Sequence, residues 1–310
     1  MEFRKLSHHD IPQIQEISKD IWEGDDYIPD VIDIWLNDSD GYAFGLFHES
    51  NPNGNQKFSE PELIAFGRVK FLNLQRAWLE GGRVKASYQK QGLGTKLTEY
   101  AINYAIQKGV DWIQYSTYSE NVGSISLAYQ FGFLQKEYLV YLVGEISTIS
   151  DSLVISDIQD AHETPEQDLD SLIPLSIMDI FAFIQNNFSP PLSDVNLGWT
   201  FVPIENDLFR ENAGDFDWYA FKHAFLRVET PNGASAHESP KNDEVFCTLY
   251  GSNPDAHQLL GKFLLKCKRE GKIQKIIMFL QKDLVPALLE SGFHFEAAHE
   301  TGILLFEKKV

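Results

Sequence analysis

The sequence predicts an α/β protein of two tandem domains, each on a mixed α+β central sheet. Three observations predict it: 310 residues exceed the usual size of one domain, short β-prone runs alternate with helical patterns, and the second half repeats the order of the first. Hydrophobic residues make up 43% of the chain, which is ample for packed cores and excludes a mainly disordered protein. Acids outnumber bases 45 to 26, a formal charge of −19. A general nucleic-acid binder needs a basic field to recruit phosphates, so no nucleic-acid partner is expected. Two cysteines, Cys247 and Cys267, cannot build a disulfide framework and fit a reducing cytoplasm. No run approaches the roughly 18 apolar residues of a membrane span, and the first ten residues carry no hydrophobic signal core. A cytoplasmic protein without a membrane partner is therefore expected.

The elements follow from spacing. Residues 3–6 read as a short strand. Asp10, with Pro12 in the first turn behind it, caps a helix in which Ile14, Ile17 and Ile21 recur at helical spacing. Ile28, Val31, Ile32, Trp35 and Leu36 mark a second helix. Tyr42–Phe47 and Leu63–Leu74 are apolar β-prone runs, joined by an Asn-, Gly- and Pro-rich connection. Trp78–Val84 is a further strand. A helix follows with Leu93, Leu97, Ala101, Tyr104 and Ala105 on one face, then a strand over Trp112–Tyr118, a helix over Val122–Phe131 and a strand over Tyr138–Val143.

The same order returns later. Val245–Tyr250 is a strand, a helix carries Leu259, Leu260, Phe263, Leu264 and Cys267, and Lys275–Leu280 is a strand. Leu284–Glu290 is a helix and Gly302–Glu307 a last strand. Gly132-Phe133 and Gly292-Phe293 mark corresponding places, which points to an internal duplication. The boundary is expected in the polar stretch between Glu145 and Gln167, giving domains of residues 1–148 and 149–310.

The segment between the strand ending at Val84 and the following helix carries the chemistry. It reads Gln89-Lys90-Gln91-Gly92-Leu93-Gly94-Thr95, with two glycines at the helix start. Without Cβ atoms they let an anion approach the first backbone N–H groups, where the helix dipole adds positive potential. From Gly81 to Thr98 there is no acid but four bases, Arg83, Lys85, Lys90 and Lys96. In so acidic a chain this local reversal marks an anion cradle. It is not a P-loop, because no Gly-Lys-Ser/Thr follows, and it lacks the third glycine of a dinucleotide fingerprint. His8, His9 and Asp10 sit too close together at a helix start to converge on one ion, and no metal is expected.

Gln89, Gly92 and Gly94 resemble the Arg/Gln-x-x-Gly-x-Gly/Ala signature of the GNAT acetyltransferase superfamily. Asn121, Leu127 and Gly132-Phe133 resemble its downstream segment, so the resemblance covers about residues 2–145. It implies tandem GNAT-like domains, the second degenerate, and acetyl-CoA as co-substrate. The pyrophosphate would lie on the amides of residues 89–95, and Asn121 would line the coenzyme's sulfur end. A narrower resemblance, in Ile21–Pro29, Trp35-Leu36 and Leu79–Val84, is to the histidine α-N-acetyltransferase family.

The resemblance also implies roles. A glutamate base is common at the position of Glu80, which two-residue periodicity puts on one face with Val84. Its bland alternative is a surface carboxylate paired with Arg83 or Lys85. The Val84 N–H would polarise the thioester oxygen. The family's acid tyrosine falls at Ala128, so Tyr129, about 100° further round the helix, is the displaced candidate. Asp25, Asp26 and Tyr27 lie where the superfamily builds its amine-binding wall. In the second half the corresponding loop reads Tyr250-Gly-Ser-Asn-Pro254-Asp255, where proline removes a donor and the acid repels phosphate. The expected function is N-acetylation of a small-molecule amine, with the α-amino group of histidine or another amino acid as the acceptor to consider. The alternatives are a peptide or protein N-terminal acetyltransferase and a non-catalytic acyl-CoA sensor.

Overall fold

The computed structural model of the chain describes residues 1–19, 21–24, 26–48, 61–150, 172–214, 216–229 and 243–310. It is a mixed α/β fold that divides into two compact units. The first comprises Met1–Tyr115, Asn121–Lys136 and Phe306–Val310, the second Ser116–Glu120 and Glu137–Leu305.

In the first unit β1 (Glu2–Lys5), β2 (Gly41–His48), β3 (Glu62–Phe71) and β4 (Arg76–Val84) form an antiparallel meander. Helix α1 (Ile11–Ser18) takes Pro12 in its first turn. Asp10 heads it without a side-chain cap bond, because its carboxylate holds Arg4 and the Ser7 N–H instead. Helix α2 is Ile28–Asn37. The apolar faces of α1 and α2 bury Ile14, Ile17, Ile28, Val31, Ile32 and Trp35 against Phe47, Leu63 and Phe66 of the sheet. Helix α3 (Leu93–Gln107) then connects β4 to the parallel strand β5 (Trp112–Tyr118), and α4 is Val122–Gln130.

The second unit repeats this pattern of pairing. Strands β9 (Asp217–Phe221), β10 (Ala224–Glu229) and β11 (Glu244–Gly251) are antiparallel neighbours, and helix α7 (Asn253–Glu270) connects β11 to the parallel strand β12 (Lys275–Leu280). Helix α8 (Val285–Glu290) and β13 (Gly302–Lys309) follow. Ahead of the repeat lie α5 (Ile177–Asn187), the hairpin β7 (Asp194–Asn196) and β8 (Phe201–Pro203), and α6 (Asn206–Ala213). These elements had no counterpart in the sequence expectation.

The boundary expected after residue 148 differs from the division between units, which falls after Lys136. Strand β6 (Leu134–Glu145) pairs with β12 over Val140–Glu145, inside the second unit. Conversely Phe306–Val310, the end of the chain, belongs to the first. Glu307 there meets Arg76 and Lys136 at 3.5 Å and accepts a 2.9 Å hydrogen bond from Gln114 Nε2. Phe306 stacks on Tyr115 and is fully buried. A repeat read from sequence assigns each strand to the half that encodes it, and pairing across the chain does not obey that rule. Truncation after Leu305 should therefore destabilise the first unit by at least about 3 kcal/mol, the scale of losing one buried phenylalanine. Thermal unfolding of the truncated chain checks this, and an unchanged midpoint would contradict it.

In the second unit the Glu137 carboxyl is pushed up to about 7 by burial, opposed by a hydrogen bond from Tyr250 and reinforced by nearby Asp194. The folded state thus holds this proton at pH values where the unfolded chain releases it. Stability from Glu137 is complete below the ordinary carboxyl range and is lost as pH rises toward 7, by on the order of 2–3 kcal/mol. In Glu137→Gln the pH dependence of chemical denaturation between pH 5 and about 8 should flatten.

Candidate active site

Strand β4 shapes the site through a bulge. Arg68 of β3 pairs with Glu80, yet Phe66 pairs with Arg83 and Ala65 with Val84. Gly67 of β3 opposes two residues of β4, Gly81 and Gly82, so Glu80 and Arg83 share one face and Val84 takes the other. The expectation that Glu80 and Val84 share a face is corrected here; period-two counting fails across the extra residue. Gly81 sits in the bulge at φ +64°, and a Cβ there would lie 2.3 Å from the Trp35 ring. Glycine at this point lets α2 close onto the strand.

Beyond the bulge β4 parts from β5. Their ladder holds three pairs, Arg76–Trp112, Ala77–Ile113 and Trp78–Gln114, and then stops. Lys85 N donates to Ile64 O at 2.9 Å, so alternation makes Val84 and Ala65 a non-hydrogen-bonded pair. The Val84 N–H therefore points away from β3, toward the edge that β5 has left. Its carbonyl accepts from Gln89 Nε2 at 3.2 Å, closing the loop that follows. Gln91 Nε2 donates to Ser87 O at 3.3 Å.

That loop ends at α3. Lys90 and Gly92 both adopt left-handed backbone, at φ 61° and 77°, and the helix starts with no side-chain cap. Its first N–H groups are thus left for an outside partner. The space in front of Gly92 is open, with no atom within 4 Å of a Cβ built there. Gly94 has a different job: its Cβ position lies 3.6 Å from Leu127 of α4, so it sets the packing of the two helices. Leu93 is buried beneath the loop, and Thr95 is half-buried in the first turn. These features fit a pyrophosphate: open glycine, uncapped amides and cationic flank.

The cationic flank is smaller than the sequence suggests. Arg83 is held by Asp26 through two bonds of 2.8 and 3.1 Å, and Lys85 by Glu62 at 2.6 Å. Tyr88 also donates to Glu62. Lys90 and Lys96 are exposed and, among the described residues, carry no ion-pair partner. The neutralising acids lie 57 and 23 residues away in the chain, outside any local window.

Glu80 is buried, its side chain 5% exposed, and accepts from Arg68 Nη1 at 2.5 Å. Arg83 and Lys85 are held by Asp26 and Glu62. Arg68 also pairs with Asp38, and its guanidinium lies 5.1 Å from the Trp35 ring centre. Tyr27 packs edge-on against Trp35, and burial together with Glu80 raises its hydroxyl well above the ordinary tyrosine value. Asp26 is fully buried; besides holding Arg83 it accepts from the Ile28 N–H and so anchors the start of α2. Asp25 lies outside the described residues. On α4, Asn121 Oδ1 caps the helix by accepting from Ser124 N at 3.1 Å. Ala128 faces inward, whereas Tyr129 is 58% exposed with its ring edge-on to Phe306. Arg68, Asp38 and Glu62 were missed from sequence: a buried arginine inside an apolar strand was the one signal available for the first.

The second unit lacks these features. Its β11–β12 ladder stays closed for six pairs, from Glu244–Lys275 to Leu249–Leu280. Asp255 sits buried in the first turn of α7, accepting from Ser252 Oγ at 2.8 Å, with Pro254 beside it. The registers also align the two units. Trp78 faces the third residue of β5 and Phe246 the third residue of β12, so Thr248 stands where Glu80 does. Arg227, paired with Thr248, stands where Arg68 does. The arginine recurs without the glutamate.

Residues 11–133 match the family model described as the acetyltransferase (GNAT) family. Over this stretch the chain is similar to a GNAT acetyltransferase domain. No curated protein sequence matches the chain. Among solved structures, a chain from Thermoplasma acidophilum described as an acetyltransferase is similar over 100% of both chains, at TM-score 0.60 and 16% identity. One from Pyrococcus horikoshii, similarly described, covers 100% of this chain and 89% of its own at TM-score 0.53 and 14% identity. The GCN5-related N-acetyltransferase from Kribbella flavida aligns with 98% of this chain and 70% of its own, at TM-score 0.51 and 12% identity. The GNAT fold thus extends over the whole chain. Among the described residues no helix is long and apolar enough to cross a membrane, and no acidic, histidine or cysteine cluster could hold a metal ion.

Proposed function

We propose that the chain acetylates a small-molecule amine with acetyl-CoA by direct transfer in a ternary complex, the first unit supplying the catalytic domain and the second a degenerate partner. The observation that carries this reading is the parting of β4 from β5 beside the open, uncapped start of α3, against the closed β11–β12 ladder with Asp255 in the second unit. Bound coenzyme supplies an activated acetyl thioester. The amides of residues 91–95, with Lys90 and Lys96, hold its pyrophosphate. Glu80 takes the proton as the amine nitrogen bonds to the acetyl carbon, the Val84 N–H steadies the oxyanion, and the carbon–sulfur bond breaks to release thiolate.

Water protonates that thiolate, since the inward position of α4 carries Ala128 and Tyr129 lies on the exposed side. Tyr129→Phe should then change kcat by less than about threefold, against the 10²-fold or greater loss typical of a general acid. The resemblance of Trp35-Leu36 and Leu79–Val84 makes histidine the first amino acid to test. The experiment is thiol release from acetyl-CoA across amines, free amino acids and short peptides. Turnover that depends on a small amine supports the proposal. Turnover of peptides alone would favour an N-terminal acetyltransferase, and coenzyme binding without turnover a sensor.

A further inference from the structure

We infer that the acceptor is an amine with no carboxylate beside the reacting nitrogen. This rests on Glu80 acting as the base. A base must come within about 3 Å of the nitrogen it deprotonates, or within one bridging water of it, so the charges around Glu80 also lie close to the acceptor's reacting end. Those groups are Arg68, Asp38, Arg83, Asp26, Tyr27 and Trp35, from β3, β4, α2 and the segment before it.

Both guanidiniums are already committed. Arg83 gives Nε and Nη2 to Asp26 and Nη1 to the Gly82 carbonyl, while Arg68 bridges Glu80 and Asp38. The Arg68 nitrogen without a partner, Nε, faces the backbone of β2: a Cβ on Gly41 would lie 2.7 Å from it. Among the described residues around Glu80, no cation is left to receive a substrate carboxylate. Three carboxylates stand against two guanidiniums, an excess that attracts an ammonium and repels an anion. A free amino acid would have to displace Asp38, Asp26 or Glu80 from its pair with a largely buried guanidinium, which leaves a charge unpaired. An amide of the same amino acid carries the same amine without that conflict.

The test is kcat/KM of the full chain for histidine and histidinamide, and for alanine and alaninamide, by thiol release and expressed per neutral amine. The amide should exceed the acid by at least about tenfold in each pair. In Asp38→Asn, which releases one nitrogen of Arg68, that ratio should fall at least about threefold; the neutral-amine fraction cancels between the two proteins. Equal or better use of the free acids by the natural chain overturns the inference while leaving the acetyltransferase reading intact. Thiol release with no amine at all overturns the reading on which it rests.

Discussion

Gly92→Asp is expected to weaken acetyl-CoA binding by at least about 100-fold, with little change in the melting temperature. The glycine holds left-handed backbone, at φ 77°, directly before α3. Aspartate is among the residues that tolerate this conformation best, so the fold should survive. What changes is the open space in front of the uncapped amides. A carboxylate there can occupy the donors and repels the pyrophosphate. Gly92→Ala adds strain without charge and should cost less, about tenfold. Calorimetric titration measures both. Binding within about threefold of the natural chain in Gly92→Asp would remove the α3 start from the coenzyme site.

Glu80→Gln should keep coenzyme affinity and lower kcat by roughly 10²–10⁴ at neutral pH, the usual worth of a general base. The amide keeps the shape of the side chain and can still accept from Arg68, whose second partner, Asp38, remains. Part of the loss should return at higher pH, where more acceptor is already neutral. Steady-state rates from pH 6.5 to about 9.5 check both statements. An unchanged rate would make Glu80 a buried structural partner of Arg68 and nothing more.

Period and breaker residues made most of the repeat legible. Trp112–Tyr118 and Lys275–Leu280 are strands as expected, and the helix expected over Val122–Phe131 spans Val122–Gln130. The open glycine turn before α3 was legible for the same reason: the glycines and the helix start that they serve are neighbours in sequence. What failed was whatever depends on distant partners. The bulge at Gly81 is a property of β3 and β4 together, and it moved Val84 off the face of Glu80. Two of the four bases counted in the cradle are neutralised by Asp26 and Glu62, which no window around Gly92 contains. The placing of Phe306–Val310 in the first unit is likewise invisible to local pattern. The strands β7 and β8 escaped because at three residues each they carry too little period to read.

The central claim is that one unit of this duplicated fold keeps a coenzyme site and the other has closed it. Isothermal titration of the full chain with acetyl-CoA tests that most directly. One molecule should bind per chain, with that binding lost in Gly92→Asp and unaffected by Asp255→Ala. Two molecules per chain, or one that survives Gly92→Asp, would contradict it.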